Sequence, residues 1–272
     1  MGIFNFLLFM CYLAQALTQN NPPPQPVPAL EKEFPYHVAI QEYRAGSGTY
    51  VQHGSGVILD DRHVLTATIV DGGAAPSTRY RIVAGTNNLS NLDGEGVQIR
   101  NLSNAVWHPD RCYQNSETIN NNLEVLTLAQ PLIFSEFVQP AVLPEAWHVP
   151  TGLGTITGWI SGSPDLHKLP MPILSYDECF TFFGHHKTRP GRICSAFLKK
   201  EDGSSYETDY GLDRGHPVTC HDAPSGTDYV CGIYSFSTGK VETDWNSFSG
   251  YPIVSTNVAY HLDWIRAEVT KP

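Results

Sequence analysis

The chain predicts an all-β domain, on three observations. Its apolar residues come in short runs of strand length: Tyr80-Arg81-Ile82-Val83-Ala84, Gly96-Val97-Gln98-Ile99-Arg100, Gly154-Thr155-Ile156-Thr157 and Ile253-Val254-Ser255-Thr256-Asn257-Val258. Gly, Asn, Asp and Pro punctuate these runs, the pattern of a β-barrel or sandwich. Only Leu262-Asp263-Trp264-Ile265-Arg266-Ala267-Glu268-Val269 spaces its apolar residues as a helix does, at the C-terminal end.

Three segments follow one another along the chain. Ile3 to Leu17 form an uncharged apolar run too short to span a bilayer, and Ala14-Gln15-Ala16 supplies a small-x-small cleavage site. Residues 1–16 therefore read as a secretory signal peptide. No basic flank accompanies the run, so an N-terminal anchor or a core strand is the alternative. Residues 17–32 form a leader in which Asn20-Asn21-Pro22-Pro23-Pro24-Gln25-Pro26-Val27-Pro28 is proline-rich and expected to be extended. Residues 33–272 are the globular domain. Removing the signal leaves about 256 residues, enough for one barrel-type domain with a substantial core.

Charge and motif content exclude several functions. The chain carries 27 acidic against 17 basic residues, which argues against nucleic acid or heparin as a partner. No glycine-rich phosphate loop and no amphipathic membrane helix stand out, so neither a cofactor nor a membrane partner is implied. His185-His186, with His167 upstream and Lys187 following, lack a second ligand pair at fixed spacing; a solvated loop is expected rather than a metal site. Asn88-Leu89-Ser90 and Asn101-Leu102-Ser103 are sequons for N-glycosylation in a eukaryotic host.

The stretch Val64-Leu65-Thr66-Ala67-Thr68-Ile69-Val70 resembles "V-L-T-A-A-H-C" around the general-base histidine of the chymotrypsin/trypsin serine proteases. The likeness runs through most of the chain after residue 34. Glu33 to Ile40 resembles the first barrel strand, and His53-Gly54-Ser55-Gly56-Val57-Ile58-Leu59 resembles "C-G-G-S-L-I". Asn121 to Pro131 resembles "N-D-I-A-L-I-K-L-x-x-P", and Val138 to Pro144 and Gly158-Trp159 continue in register. The resemblance implies two six-stranded antiparallel β-barrels and a C-terminal helix.

It also implies that the three catalytic positions hold Ile69, Asn122 and Arg214. The nucleophile position has two competing alignments. Ala223-Pro224-Ser225-Gly226 as a damaged "G-D-S-G" would retain a serine, but leaves too few residues before Gly232-Ile233-Tyr234-Ser235-Phe236, the match to "G-I-V-S-W", for the intervening hairpin. Asp213-Arg214-Gly215-His216-Pro217-Val218-Thr219-Cys220 as "D-S-G-G-P-V-V-C" keeps the hairpin and is preferred. Acyl transfer needs a hydroxyl that loses its proton to a base oriented by a buried carboxylate. Arg214 has five donors and no acceptor, Asn122 brings no negative charge, and Ile69 cannot accept a proton. Catalysis by this mechanism is not expected.

Further consequences follow from the same resemblance. His53 and Val70 stand where the family has a disulfide, so both partners are lost together. Cys179 and Cys194 fall where the family closes a loop before its primary pocket. Cys220 and Cys231 flank His221 to Val230 at the ends of two adjacent strands, where a cross-hairpin bridge is geometrically reasonable although not a standard family pairing, and is worth roughly 3 kcal/mol on the chain-entropy estimate. Cys112 is left over: an intermolecular partner, a buried thiol or a mistaken pairing. Neither a basic activation site nor "I-V-G-G" occurs, so Asp213 lacks the amino group it pairs with in active relatives. Arg214 could replace that charge, or both could be solvated in a zymogen-like loop. Ser235 and Phe236 match the strand that pairs with substrate backbone, a mode that needs no catalytic group, although the surface could equally be inert. Ile253 falls where a glycine lines the primary pocket, and would narrow it. The expectation is a secreted, non-catalytic homolog of the arthropod type that binds a protease, an inhibitor or another extracellular protein. A hydrolase rearranged around Ser225 with His216 or His221 is the alternative.

Overall fold

The structure, a computed structural model, describes residues 25–70, 79–113, 119–160, 162–183, 190–198, 213–237 and 248–271. Its first half is a closed barrel. Strands β2 (His37–Arg44), β3 (Thr49–Ile58), β4 (His63–Thr66), β5 (Tyr80–Ala84), β6 (Gln98–Trp107) and β9 (Glu124–Leu128) are joined antiparallel in the order β2-β3-β4-β9-β6-β5. Pairs such as Ala39↔Val83 close the circle between β2 and β5. Between β6 and β9 a small hairpin forms from β7 (Cys112–Tyr113) and β8 (Ile119–Asn120).

Alternation along the strands fills the barrel. Val38 and Ile40, Tyr80, Ile82 and Ala84, and Leu126 and Leu128 point to one buried cluster, as a period of two requires. In β3, β4 and β9 the intervening residues are buried as well. Val57, Leu65, Leu123 and Val125 join Val230, Ile233, Val258, Leu262 and Ile265 in a second cluster between the two halves of the molecule. Both faces are buried at residues 54–58, 64–66 and 124–126, where the sequence accordingly shows no clean alternation of apolar and polar residues.

The second half is a seven-stranded sheet. β1 (Val27–Pro28), β10 (Leu153–Trp159), β11 (Leu166–Pro172), β12 (Arg192–Leu198), β13 (Pro217–Asp222), β14 (Thr227–Ser237) and β15 (Phe248–Asn257) run in the order β1-β11-β10-β13-β14-β15-β12. Its ends approach through the single bridge Ile173↔Ser195 and the Leu174 N–H donated to the Cys194 carbonyl at 2.9 Å. The expected second barrel is thus present, with six long strands, a seam held by few hydrogen bonds and β1 added at an edge. Leu169, Met171, Val218, Tyr234 and Ile253 are in its core. Helix α1 (Tyr176–Phe183) follows β11, and α2 (Leu262–Val269) ends the fold as predicted.

Local chemistry accounts for several boundaries. The first long strand begins at His37, not at Glu33: the Glu33 N–H bonds the Leu30 carbonyl and the His37 N–H bonds that of Phe34, so residues 33–36 form a turn. α1 was not expected. It starts at a reciprocal cap in which the Ser175 N–H donates to Glu178 Oε2 at 2.7 Å and the Glu178 N–H donates to Ser175 Oγ at 3.3 Å. Cys179–Cys194 and Cys220–Cys231 are disulfides, with Cα atoms 5.8 and 5.7 Å apart. The β13–β14 register shifts between Thr219↔Val230 and Val218↔Gly232, which leaves Cys231 as the extra residue of a bulge facing Cys220.

Two buried histidines meet on the second barrel. His216 Nδ1 donates to the Thr157 carbonyl at 2.9 Å, and His37 Nδ1 contacts Thr157 Oγ1 at 3.0 Å. A side chain on Gly158 would occupy the His216 ring, so the close approach needs glycine there. Both Nε2 atoms are buried without a hydrogen-bond partner. Burial, and then the neighbouring His216, hold His37 well below the ordinary histidine range. Burial lowers His216 to about 4, the Thr157 bond opposing it. Both are neutral in the fold and charge on unfolding, so their contribution is complete above pH 6.5 and is lost as pH falls toward 4. For His216 it is roughly 3 kcal/mol. Urea unfolding between pH 6.5 and 5 should therefore lose stability with acidification, and His37→Gln should reduce the proton uptake on unfolding by about one. An unchanged slope would show that His37 is already charged in the native state.

Candidate functional site

The end of β4, the start of β9 and the turn before β13 converge between the two barrels. Asn122 is fully buried. Its Oδ1 accepts the Thr68 N–H at 3.0 Å and its Nδ2 donates to Ser235 Oγ at 2.7 Å, while Thr256 Oγ1 donates to its carbonyl at 3.2 Å. Both halves of the amide are thus occupied, and Ser235 Oγ serves as an acceptor. Ile69 and Arg214 meet at Gly54, whose missing side chain leaves room for Ile69 Cδ1 and for the Arg214 carbonyl, the latter 2.9 Å from where a Cβ would stand. That carbonyl accepts the Ser55 N–H at 3.1 Å. Gly215 follows with φ 87°, packed on the Ser55 carbonyl, a conformation and a fit that only glycine supplies. The Arg214 side chain is exposed.

The structure therefore gathers the three positions singled out in the sequence. Their side chains offer a hydrocarbon, a neutral amide and a cation. None can take a proton at neutral pH or act as a nucleophile.

Glu124 is the residue that sequence reasoning missed. It is fully buried two residues beyond Asn122, and its Oε2 accepts the N–H groups of both Ile69 and Val70 at 3.1 Å. Trp107 Nε1 donates to its Oε1 at 3.0 Å. Burial pushes the carboxyl up to about 7, against these hydrogen bonds, which pull it down. On the other side of the same turn His53 Nε2 lies 3.0 Å from the Ile69 carbonyl. His53 and Val70 are the two positions where the resemblance has a disulfide, so a carboxylate and an imidazole hold the turn in place of the cross-link.

His53 also faces Glu42, with Nδ1 3.6 Å from Oε2. Glu42 is buried and further paired with Arg79 and Arg44, at 2.8 Å each. Burial raises the carboxyl of Asp213, and the charge that opposes this is His53. Among the described residues Arg214 makes no ion pair with Asp213, so of the two alternatives for this pair the substitute pairing is not formed.

The other candidates separate. Ser235 and Phe236 are buried, on the part of β14 that pairs with β15 at Phe236↔Val254. Ile253 packs inside the second barrel instead of lining an open pocket. Ser225 is in the exposed turn of the β13–β14 hairpin with its hydroxyl on Asp222, and His221 bonds Asp228 at 2.7 Å. With His216 buried under Thr157, neither histidine reaches that serine. The Cys112 thiol is exposed, not buried, and accepts a 3.5 Å contact from Asn120 Nδ2. Asn101 is exposed, whereas Asn88 is half-buried and donates to Asp165 Oδ1 at 2.7 Å. Residues 1–24 and His185 to Lys187 lie outside the described residues. Among the described residues no helix is long and apolar enough to cross a membrane.

The Glu124 carboxyl has the opposite linkage to the buried histidines. Its pKa is raised in the fold, so the native state holds a proton that the unfolded chain releases, and stability falls as pH rises from 4.5 to about 7. Glu124→Gln should remove that fall while leaving the low-pH stability nearly intact, read from denaturant midpoints at pH 5 and 8. Glu124→Leu strands the N–H groups of Ile69 and Val70, while Trp107 Nε1 keeps the Val70 carbonyl, and should cost about 1–3 kcal/mol or more at either pH. Equal pH dependence in wild type and Glu124→Gln would disprove the assignment.

The family description "Trypsin" matches residues 26–265. Trypsin-1 of Astacus astacus is 31% identical over 244 residues, covering 86% of this chain and 94% of that protein. Transmembrane protease serine 9 of Rattus norvegicus is 31% identical over 248 residues, which cover 88% of this chain and 21% of its own length. Chymotrypsin-C of Bos taurus is 25% identical over 283 aligned residues, 99% of each chain. The barrel pair, the shared junction and these matches together make the chain a member of the trypsin family.

Proposed function

We propose that this member of the trypsin family is a non-catalytic serine protease homolog of the arthropod type, secreted, and active through binding. The observation that carries this reading is the chemistry of Ile69, Asn122 and Arg214 where the resemblance has a base, its carboxylate and a nucleophile. Removing one triad member costs about 10⁴–10⁶ in turnover, and removing the rest adds little. The partner is a protein: an active protease, an inhibitor or another extracellular component. The backbone around Ser235 and Phe236 is the part of the old substrate surface suited to pairing with an extended peptide.

The signal-like residues 1–16, two disulfides and the exposed sequon at Asn101 support an extracellular destination and a glycan at Asn101. The contacts of Ser225 and His221 disfavour a rearranged hydrolase.

A labelled fluorophosphonate is expected to leave the chain unmodified; stoichiometric label on Ser225 would require an activated serine and overturn the reading. Arg214→Ser alone is expected to show no peptide turnover above a mock-purified control, because the new hydroxyl has no base. Measurable hydrolysis by that single variant would contradict the assignment of Ile69.

A further inference from the structure

An apolar groove of about 390 Å³ opens at one end of the second barrel, on residues that take no part in the candidate site. The segment before β10, the turn after β11 and the start of β12 form its walls, with Trp147, Val149, Ile173, Tyr176, Pro190 and Tyr260 among the lining residues. Trp147, Val149 and Tyr176 are 66%, 74% and 57% exposed, a concentration of large apolar side chains that marks an interaction site more often than idle surface. Trp147 adopts φ 63°, costly for a bulky residue. It is held there by its N–H on the Ala259 carbonyl at 3.2 Å and by edge contact with Tyr260, ring centroids 5.2 Å apart. The capped start of α1 fixes Tyr176.

We propose that the groove is occupied by the chain's own proline-rich leader, Asn20 to Pro26, lying across the aromatic rings as a polyproline II segment. The first argument is direction. β1 pairs antiparallel with β11, Val27↔Lys168 and Pro28↔His167, so going back toward the N-terminus the chain heads along β11 toward Ile173. Ile173, one residue beyond the end of β11, is a groove residue.

The second argument is why the leader leaves the sheet there. Pro22, Pro23, Pro24 and Pro26 have no N–H, so the ladder with β11 cannot continue. At Ile173, moreover, the edge of β11 is taken by β12 through Ile173↔Ser195. A segment that cannot be held by backbone pairing needs contacts from its rings. Polyproline II presents such rings every third residue at 3.1 Å rise, and aromatic grooves bind it at low entropic cost. Asn20 to Pro26 spans about 19 Å in that form.

The third argument is charge. Asn20 to Pro28 contains no ionisable side chain. Arg192, in the groove wall, is already engaged by the Ile119 carbonyl and by Asn120 Oδ1 at 3.2 and 2.6 Å, so a neutral occupant leaves no charge unmatched. The proposal does not depend on whether the triad positions are catalytic.

Hydroxyl-radical footprinting of the full chain, read by mass spectrometry, tests it. The comparison is with Pro22→Ser, Pro23→Ser, Pro24→Ser and Pro26→Ser combined, which keeps chain length and composition outside the leader. In the parent chain Trp147, Tyr176 and Tyr260 should oxidise at least about threefold more slowly than in the variant, at a dilution where both are monomeric. Trp107, outside the groove, should react equally in both and so reports that folding is intact. Equal rates at the three groove residues would overturn the proposal. So would protection that persists in the variant and rises with protein concentration, which would name a second copy as occupant.

Discussion

At residues 54–58 of β3, 64–66 of β4 and 124–126 of β9 the chain has no wet face. One side of each fills the first barrel and the other joins the cluster shared with β14, α2 and Val258, so the position of one barrel relative to the other is set by side chains that alternate along three strands. A one-residue slip in any of them would exchange the two cores. The strip carrying Ile69, Asn122 and Arg214 hangs from the ends of this shared wall. Its geometry is therefore a by-product of packing the barrels and does not need catalytic groups to persist.

Around this strip lies a set of buried polar residues with limited partners. Asn122 uses each half of its amide once, which a neutral group can do without drawing on a counter-charge. Glu124 sits where three donors converge, yet burial still favours its protonated form. His37 and His216 are buried in the opposite sense, neutral when the unfolded chain would be charged. Carboxyl and imidazoles thus pull the pH profile in contrary directions across the same range. The charged cluster of Glu42, Arg79, Arg44 and His53 lies on the barrel's flank, where partial exposure of Arg79 and Arg44 screens it and makes it worth less than its number of contacts suggests.

Much of this was legible in the residues. Tyr80 to Ala84 is a strand with the predicted ends, because Tyr80, Ile82 and Ala84 alternate cleanly. Leu262 to Val269 is the predicted helix, because Leu262 and Ile265 fall on one face. The β13–β14 hairpin expected between Asp213 and Gly232 is present and is closed by Cys220–Cys231. The misses have physical causes. Helix α1 is as long as α2; its signal was the cap Ser175-Tyr176-Asp177-Glu178, which local reading could have found. Glu124 looked like a polar break in Leu123 to Leu128, and nothing local says that two backbone N–H groups from a distant turn await it. Asp213 and Arg214 are neighbours in sequence, but a half-buried carboxyl answers to whatever the fold brings alongside, and here that is the His53 ring.

The Cys220–Cys231 bridge has a meaning for a chain expected to keep company with proteases. It closes the β13–β14 hairpin just inside its exposed tip, at Ala223 to Gly226. A cut anywhere between His221 and Val230 leaves the two pieces joined through sulfur, each strand still paired with its outer neighbour, β10 on one side and β15 on the other. This exposed loop of the second barrel can thus be nicked without releasing a fragment, and such damage would come to light only under reducing conditions.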